Sequence, residues 1–171
     1  MPRDKDIIRV ERSRIIDPAI PTMQKLEFTC GPSVLQAIFA KYGRDVSQDE
    51  IAHDAGTTEQ GTNDAGMLAA IEKQGLTATP QHASMEVLCT ELTNGNSVIL
   101  CVTAYGCSHW VALIGQSRRN WFFADPMTES GIGYIPKLDF HRRWSHRRAI
   151  VVSGVPRRNS LTTLPAQRIP E

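Results

Sequence analysis

The sequence predicts an α+β domain in which a helical first half packs on an antiparallel sheet supplied by the second half. Apolar residues recur at helical spacing between Cys30 and Leu92, whereas after Asn94-Gly95 they gather in short β-branched and aromatic runs. Helices followed by strands are the order of an α+β fold. With 171 residues and 41% hydrophobic content, the chain is long enough for one domain to bury a core without disulfides or metals.

The elements follow in order. Residues 1–23 read as an N-terminal arm lying on the domain, with a β-like patch at Ile7 to Val10 and prolines at 18 and 21. Cys30 to Tyr42 is the clearest helix, because Val34, Leu35, Ile38 and Phe39 share one face and Gly43 follows as a stop. Thr29 is its expected N-cap, and Pro32 suits a first turn where the missing N–H costs nothing. Ser47 with Glu50 forms a capping-box pattern for a helix ending near Asp54. A loop at 56–61 precedes a third helix, which starts at Asn63 or Asp64 and ends at Gly75; a fourth spans Ser84 to Leu92. Strands are expected at Ser97–Thr103, His109–Gly115, Trp121–Ala124, Tyr134–Ile135 and Ala149–Ser153, with a short helix near Lys137 to Trp144. The main folded unit is thus 24–155. Residues 156–171, with three prolines, three arginines and little apolar pattern, read as a disordered tail.

Composition excludes several classes. A net charge of +1 gives no general reason to bind nucleic acid, and no apolar run approaches the ~18 residues of a membrane span. The first residues lack the apolar stretch of a signal peptide, so a cytoplasmic protein is expected. Of the four cysteines, Cys89 and Cys101 lie in apolar surroundings and read as small core residues. Cys101, Cys107 and His109 match no common zinc spacing and lack a fourth ligand; no metal and no cofactor is expected. Arg142, Arg143, Arg147 and Arg148 form a local basic patch, ordinarily a solvated surface.

The chemistry centres on Cys30. A thiol at a helix start faces unpaired backbone N–H groups and the positive end of the helix dipole, which favour the thiolate. Gly31 beside it allows close approach. His109 opens an apolar strand, and Asp125 ends the aromatic strand Trp121-Phe-Phe-Ala; if these strands are neighbours, the carboxylate can fix the imidazole. The other histidines, His53, His82, His141 and His146, occupy helix-end, loop or arginine-rich contexts. Gln24, six positions before Cys30, can reach back beside the thiol and donate to an oxyanion.

Gln24 to Gly43, with Cys30, Ser33 and the Tyr42-Gly43 pair, resembles the active-site motif of the bacteriocin-processing, double-glycine-type cysteine peptidases. His109-Trp-Val and Asp125-Pro resemble that family's histidine and aspartate motifs in the right order, and residues 56–76 resemble its stand-alone members. The resemblance covers roughly residues 20 to 155. Thr29 departs from it, standing where exporter-linked members usually carry an acid, and no transporter region follows. The resemblance implies a papain-like fold and a peptidase with catalytic Cys30, His109, Asp125 and Gln24. It also implies cleavage after small residues such as Gly-Gly of a leader peptide, and association with a separate transporter. Two rivals use the same residues: an acyl transferase that passes the thioester to another acceptor, and a peptide-binding module without turnover.

Overall fold

The computed structural model describes residues 15–154. The expected patch at Ile7 to Val10 and the tail at 156–171 lie outside the described residues. Three helices come first: α1 (Cys30–Lys41), α2 (Gln48–Asp54) and α3 (Asp64–Lys73). Then follow β1 (Thr77–His82), α4 (Met85–Thr93), β2 (Ser97–Ala104), β3 (Cys107–Gln116), β4 (Asn120–Ala124), β5 (Ile132–Pro136), α5 (Lys137–Arg143) and β6 (Arg148–Ser153). The strands form one six-stranded sheet in the order β1-β6-β2-β3-β4-β5, every pair antiparallel.

Local chemistry explains the helix starts. Ser47, Asn63 and Ser84 are N-caps whose side chains accept from the N–H groups of Glu50, Gly66 and Val87. Gly43, at φ 76°, ends α1 where a left-handed residue is needed, and Arg44 N–H returns to Phe39 O. Thr29 precedes α1 but makes no side-chain cap; its hydroxyl instead closes a turn on Leu26, donating to Leu26 O and accepting from Leu26 N–H, both at 3.0 Å.

The sheet is covered on both faces. Val34, Leu35, Ile38 and Phe39 of α1 and Met67 and Ile71 of α3 pack on Ile99, Ala112, Ile114, Ile150 and Val152. Leu88 and Leu92 of α4, with Phe140 and Trp144, cover Leu100, Val111, Leu113, Phe123 and Val151 from the other side. Burial on both faces is why β2 and β3 are nearly continuous apolar runs. Each such strand buries alternate residues in different cores.

Strand β1 was not expected. Its burial pattern is mostly exposed, so it carries no apolar signature, and Pro80 is tolerated because the strand pairs on one side only, with β6. His82 therefore ends an edge strand rather than lying in a loop. The arm enters the core through a bulge. The β3–β4 register shifts between Leu113 and Gly115, and Ile114 O accepts the N–H groups of Ile16 and Asp17 at 2.7 and 3.1 Å. Asp17, 2% exposed, then meets Lys41 Nζ at 3.0 Å and the Ser97 hydroxyl at 2.6 Å.

Candidate active site

Cys30 is the first residue of α1 and is buried, held against β3. The turn at 26–29 directs the chain into the helix, and the lack of a side-chain cap leaves the Cys30 and Gly31 N–H groups uncapped beside the sulfur. Gly31 sits in close packing, since a Cβ there would lie 3.0 Å from both Met67 Sδ and Thr62 Oγ1 and would oblige those side chains to give way. That contact seats the start of α1 on the 57–62 loop. The Trp110 indole N–H donates to Thr62 O at 2.7 Å and ties the same loop to β3.

His109 lies on β3 and is 3% exposed. The pairing of Leu113 with Phe123 and Ala112 with Ala124 makes β3 and β4 neighbours, which brings Asp125, just beyond β4, to the imidazole. His109 Nε2 is 2.8 Å from Asp125 Oδ1. The same carboxylate oxygen accepts Met127 N–H at 2.9 Å, while Oδ2 accepts the Tyr105 hydroxyl at 2.7 Å. With Nε2 on Asp125, Nδ1 is the ring nitrogen left for the Cys30 thiol, whose electrostatic influence His109 feels.

The electrostatics are those of an ion pair relay. Burial works to raise the Cys30 thiol, but the hydrogen bond to His109, the backbone N–H of Trp110, the histidine charge and the N–H of Gly31 together hold it below its ordinary value. Burial likewise opposes the charged imidazole, yet the hydrogen bonds to Asp125 and Cys30 and their charges push His109 up to about 9. Burial would raise Asp125, and its bonds to His109, Met127 N–H and Tyr105 keep it below the usual carboxylate range. The arrangement favours a thiolate facing an imidazolium, with the carboxylate behind.

Gln24 is engaged differently from the expectation. Its backbone N–H donates to Pro126 O at 2.9 Å, anchoring it beside the segment that follows Asp125. Its side-chain amide donates to Leu26 O at 2.7 Å and Glu27 O at 2.9 Å, while Oε1 is buried without a partner. Both amide protons are thus used on the turn that leads into α1.

A cleft of about 380 Å³ opens at Cys30, with Glu27 and Phe28, the 59–62 loop and Trp110 among its walls. Cys101 also lines it and is half-buried, so it is not the closed core residue its apolar strand suggested; Cys89 is half-buried too. Of the alternative acids or amides near the strands, Asp139 is paired with Arg142 and Arg143, and Asn120 opens β4 at the end away from Asp125. The arginine patch is partly neutralised, since Arg148 also pairs with Asp64. Among the described residues no three His, Cys, Asp or Glu side chains gather as metal ligands would. No described helix is long and apolar enough to cross a membrane. Two contributors escaped the sequence reading: Tyr105, whose only signal is a bulky residue before Gly106 in a hairpin turn, and Gly133, which lies against Asp125.

Comparison with known proteins gives a consistent result. The model of the peptidase C39 family matches residues 20–155. An uncharacterized protein of Methanothermobacter thermautotrophicus is 30% identical over 105 residues, covering 61% of this chain and 69% of that protein. The peptidase domain of Streptococcus ComA, a bi-functional ABC transporter involved in a quorum-sensing pathway, superposes with a TM-score of 0.67 at 21% identity, over 79% of this chain and 98% of that one. A double glycine motif protease from an AMS/PCAT transporter, solved in complex with a leader peptide, gives 0.65 at 24% identity, over 79% and 92%. A C39-like peptidase from Bacillus anthracis gives 0.68 at 15% identity, over 84% and 98%. These likenesses are to the papain-like fold.

Proposed function

We propose, for a chain that belongs to the peptidase C39 family and is a cysteine peptidase, that Cys30 is its nucleophile, His109 its general acid and base, and Asp125 the group that orients the histidine. The observation that carries this reading is the buried 2.8 Å His109–Asp125 bond, with the imidazole among the groups that hold the Cys30 thiol below its ordinary value. The Cys30 sulfur attacks the scissile carbonyl carbon, forming a C–S bond as the carbonyl oxygen takes up negative charge. The imidazolium gives its Nδ1 proton to the leaving nitrogen as the C–N bond breaks, releasing the amine. A water then attacks the thioester, its proton passing to His109 and its oxygen to the carbonyl carbon. The acid departs and the thiolate is restored.

The oxyanion falls to the backbone N–H groups at the start of α1 and to Gln24. In its resting arrangement Gln24 donates to Leu26 O and Glu27 O, so its oxyanion role requires one amide proton to turn from those carbonyls to the substrate. Replacement by Ala should cut kcat by about 10²–10³ with little change in KM, as for a lost oxyanion donor. Turnover kinetics check this, and an unchanged kcat would confine Gln24 to shaping the 26–29 turn.

The substrate we propose is a leader peptide cut after small residues such as Gly-Gly, with a separate transporter as the protein that takes up the product. Family membership supports this class, together with an open cleft at Cys30. A cytoplasmic, reducing setting suits it, because all four cysteines are free thiols. Mass spectrometry of a peptide panel varying the two residues before the cut tests the specificity. Gly-Gly peptides should be cleaved by the wild type and left intact by Cys30→Ala. Cleavage by Cys30→Ala at the wild-type rate would remove Cys30 from the mechanism, and equal cleavage after bulky residues would remove the specificity.

A further inference from the structure

Strands β2 and β3 are joined by the two-residue turn Tyr105-Gly106, with Ala104 paired to Cys107. Both turn residues have positive φ, 53° for Tyr105 and 78° for Gly106, the geometry that hairpins ordinarily fill with Asn-Gly. A tyrosine is strained there. The residue is 58% exposed, so core packing does not explain the choice.

What the tyrosine does touch is the catalytic pair. Its hydroxyl donates to Asp125 Oδ2 at 2.7 Å, and its ring stands edge-on to the His109 imidazole, with centroids 5.2 Å apart and planes at 89°. The carboxylate is shaped to receive it. A Cβ at Gly133 of β5 would lie 2.9 Å from the same Oδ2, so the absence of a side chain there keeps that oxygen in place. The titratable and charged groups facing this spot are His109 of β3, Tyr105 of the turn and, around the adjoining cavity of about 270 Å³, Arg143 of α5 and Tyr134 of β5. Cys30 of α1 acts on it through His109, and the Arg143 guanidinium is engaged by Asp139.

We propose that Tyr105 is a positioning residue for the reaction: from a strained hairpin turn its hydroxyl fixes the Asp125 carboxylate while its ring limits rotation of His109, so that the imidazole stays aimed at Cys30. The inference rests on the reading of Cys30, His109 and Asp125 as the catalytic set. Loss of the hydroxyl leaves Oδ2 with one donor fewer, makes the carboxylate easier to protonate and loosens the imidazole. The loosened imidazole is no longer held on the thiolate, which raises the pH at which the thiolate is lost, and any protonation of Asp125 at the acid end acts in the same direction.

The test is the pH profile of Cys30 carbamidomethylation by iodoacetamide, followed by peptide mass spectrometry, in the full-length wild type and in Tyr105→Phe, Tyr105→Asn and Gly133→Ala. Tyr105→Phe keeps the ring and the turn strain; Tyr105→Asn relieves the strain. All three should move the acid limb of the profile upward by about half to one pH unit, while thermal unfolding shows Tyr105→Asn at least as stable as the wild type. A purely structural turn would show the opposite pattern, with unfolding temperatures changed and the acid limb unmoved. An acid limb that stays in place or moves to lower pH in Tyr105→Phe overturns the proposal. The wild-type profile keeps the two readings apart: if it already follows a free thiol near about 8.5, the catalytic set itself has failed.

Discussion

His109 is 3% exposed between a thiol and a carboxylate, and that placement decides how stability responds to pH. The imidazole is raised to about 9 from an ordinary value near 6.5, so its contribution is complete below about 6.5 and is lost as pH rises through about 9. The Cys30 thiol is lowered, so its contribution is complete above the ordinary thiol value and is lost as pH falls through the lowered one. Above both the lowered thiol value and about 6.5, and up to about 8.5, the folded pair binds as many protons as the unfolded pair, one on the imidazole instead of one on the sulfur, and the two slopes cancel. The wild-type unfolding temperature should therefore be nearly flat across that window. Cys30→Ala leaves His109 held by Asp125 alone and unmasks its slope, so its unfolding temperature should fall as pH rises from about 6.5. Parallel melting curves for the two proteins across the window would contradict the paired state.

At the scale of elements, α3 is seated by a glycine. A Cβ at Gly66 would lie 2.1 Å from Ala55 O, at the end of α2, so Gly66→Ala must push the two helices apart. A cost of about 1–3 kcal/mol is expected, read as a lower midpoint in urea denaturation; an unchanged midpoint would mean the helices slide freely. Helix starts of this kind were legible because Ser47, Asn63 and Ser84 carry their own capping chemistry. The neighbouring of His109 and Asp125 followed from the strand order, with Cys30 opening α1 and Asp125 following β4, although His109 is the third residue of β3 rather than its first. Strand β1 was not, because an exposed edge strand needs no apolar alternation and its partner β6 lies far along the chain. Thr29 occupies the cap position without capping, since its hydroxyl is claimed by the preceding turn. The resting contacts of Gln24 and the reach of Tyr105 depend on turns whose geometry no spacing of residue types encodes.

For the whole molecule, the site depends on two halves being held in register, and a buried ion pair is one of the fasteners. Lys41 at the end of α1 meets Asp17 of the arm, the Gly95 carbonyl before β2 and the Ser97 hydroxyl at its start. Lys41→Met would leave the Asp17 carboxylate, whose side chain is 1% exposed, without its counter-charge. Such a loss costs about 3–5 kcal/mol, here toward the lower figure because Ser97 and the Ala19 N–H still serve Asp17. Urea denaturation of Lys41→Met checks this, and a cost below about 1 kcal/mol would show the pair to be behaving as an exposed one. Tyr42 adds a second fastener, its hydroxyl donating to Val152 O at 3.0 Å from α1 to β6. These links present the thiol on one half to the imidazole on the other, and the claim that matters most is that the two form a thiolate–imidazolium pair. Its most direct measurement is the rate of Cys30 alkylation from acid to alkaline pH in the wild type and in His109→Ala, with the labelled residue identified by peptide mapping. The account predicts that rapid labelling of wild-type Cys30 persists below the free-thiol range near about 8.5, and that this reactivity shifts toward that range in His109→Ala. A wild-type rate that follows one titration near the free value, unchanged by removing His109, would contradict it.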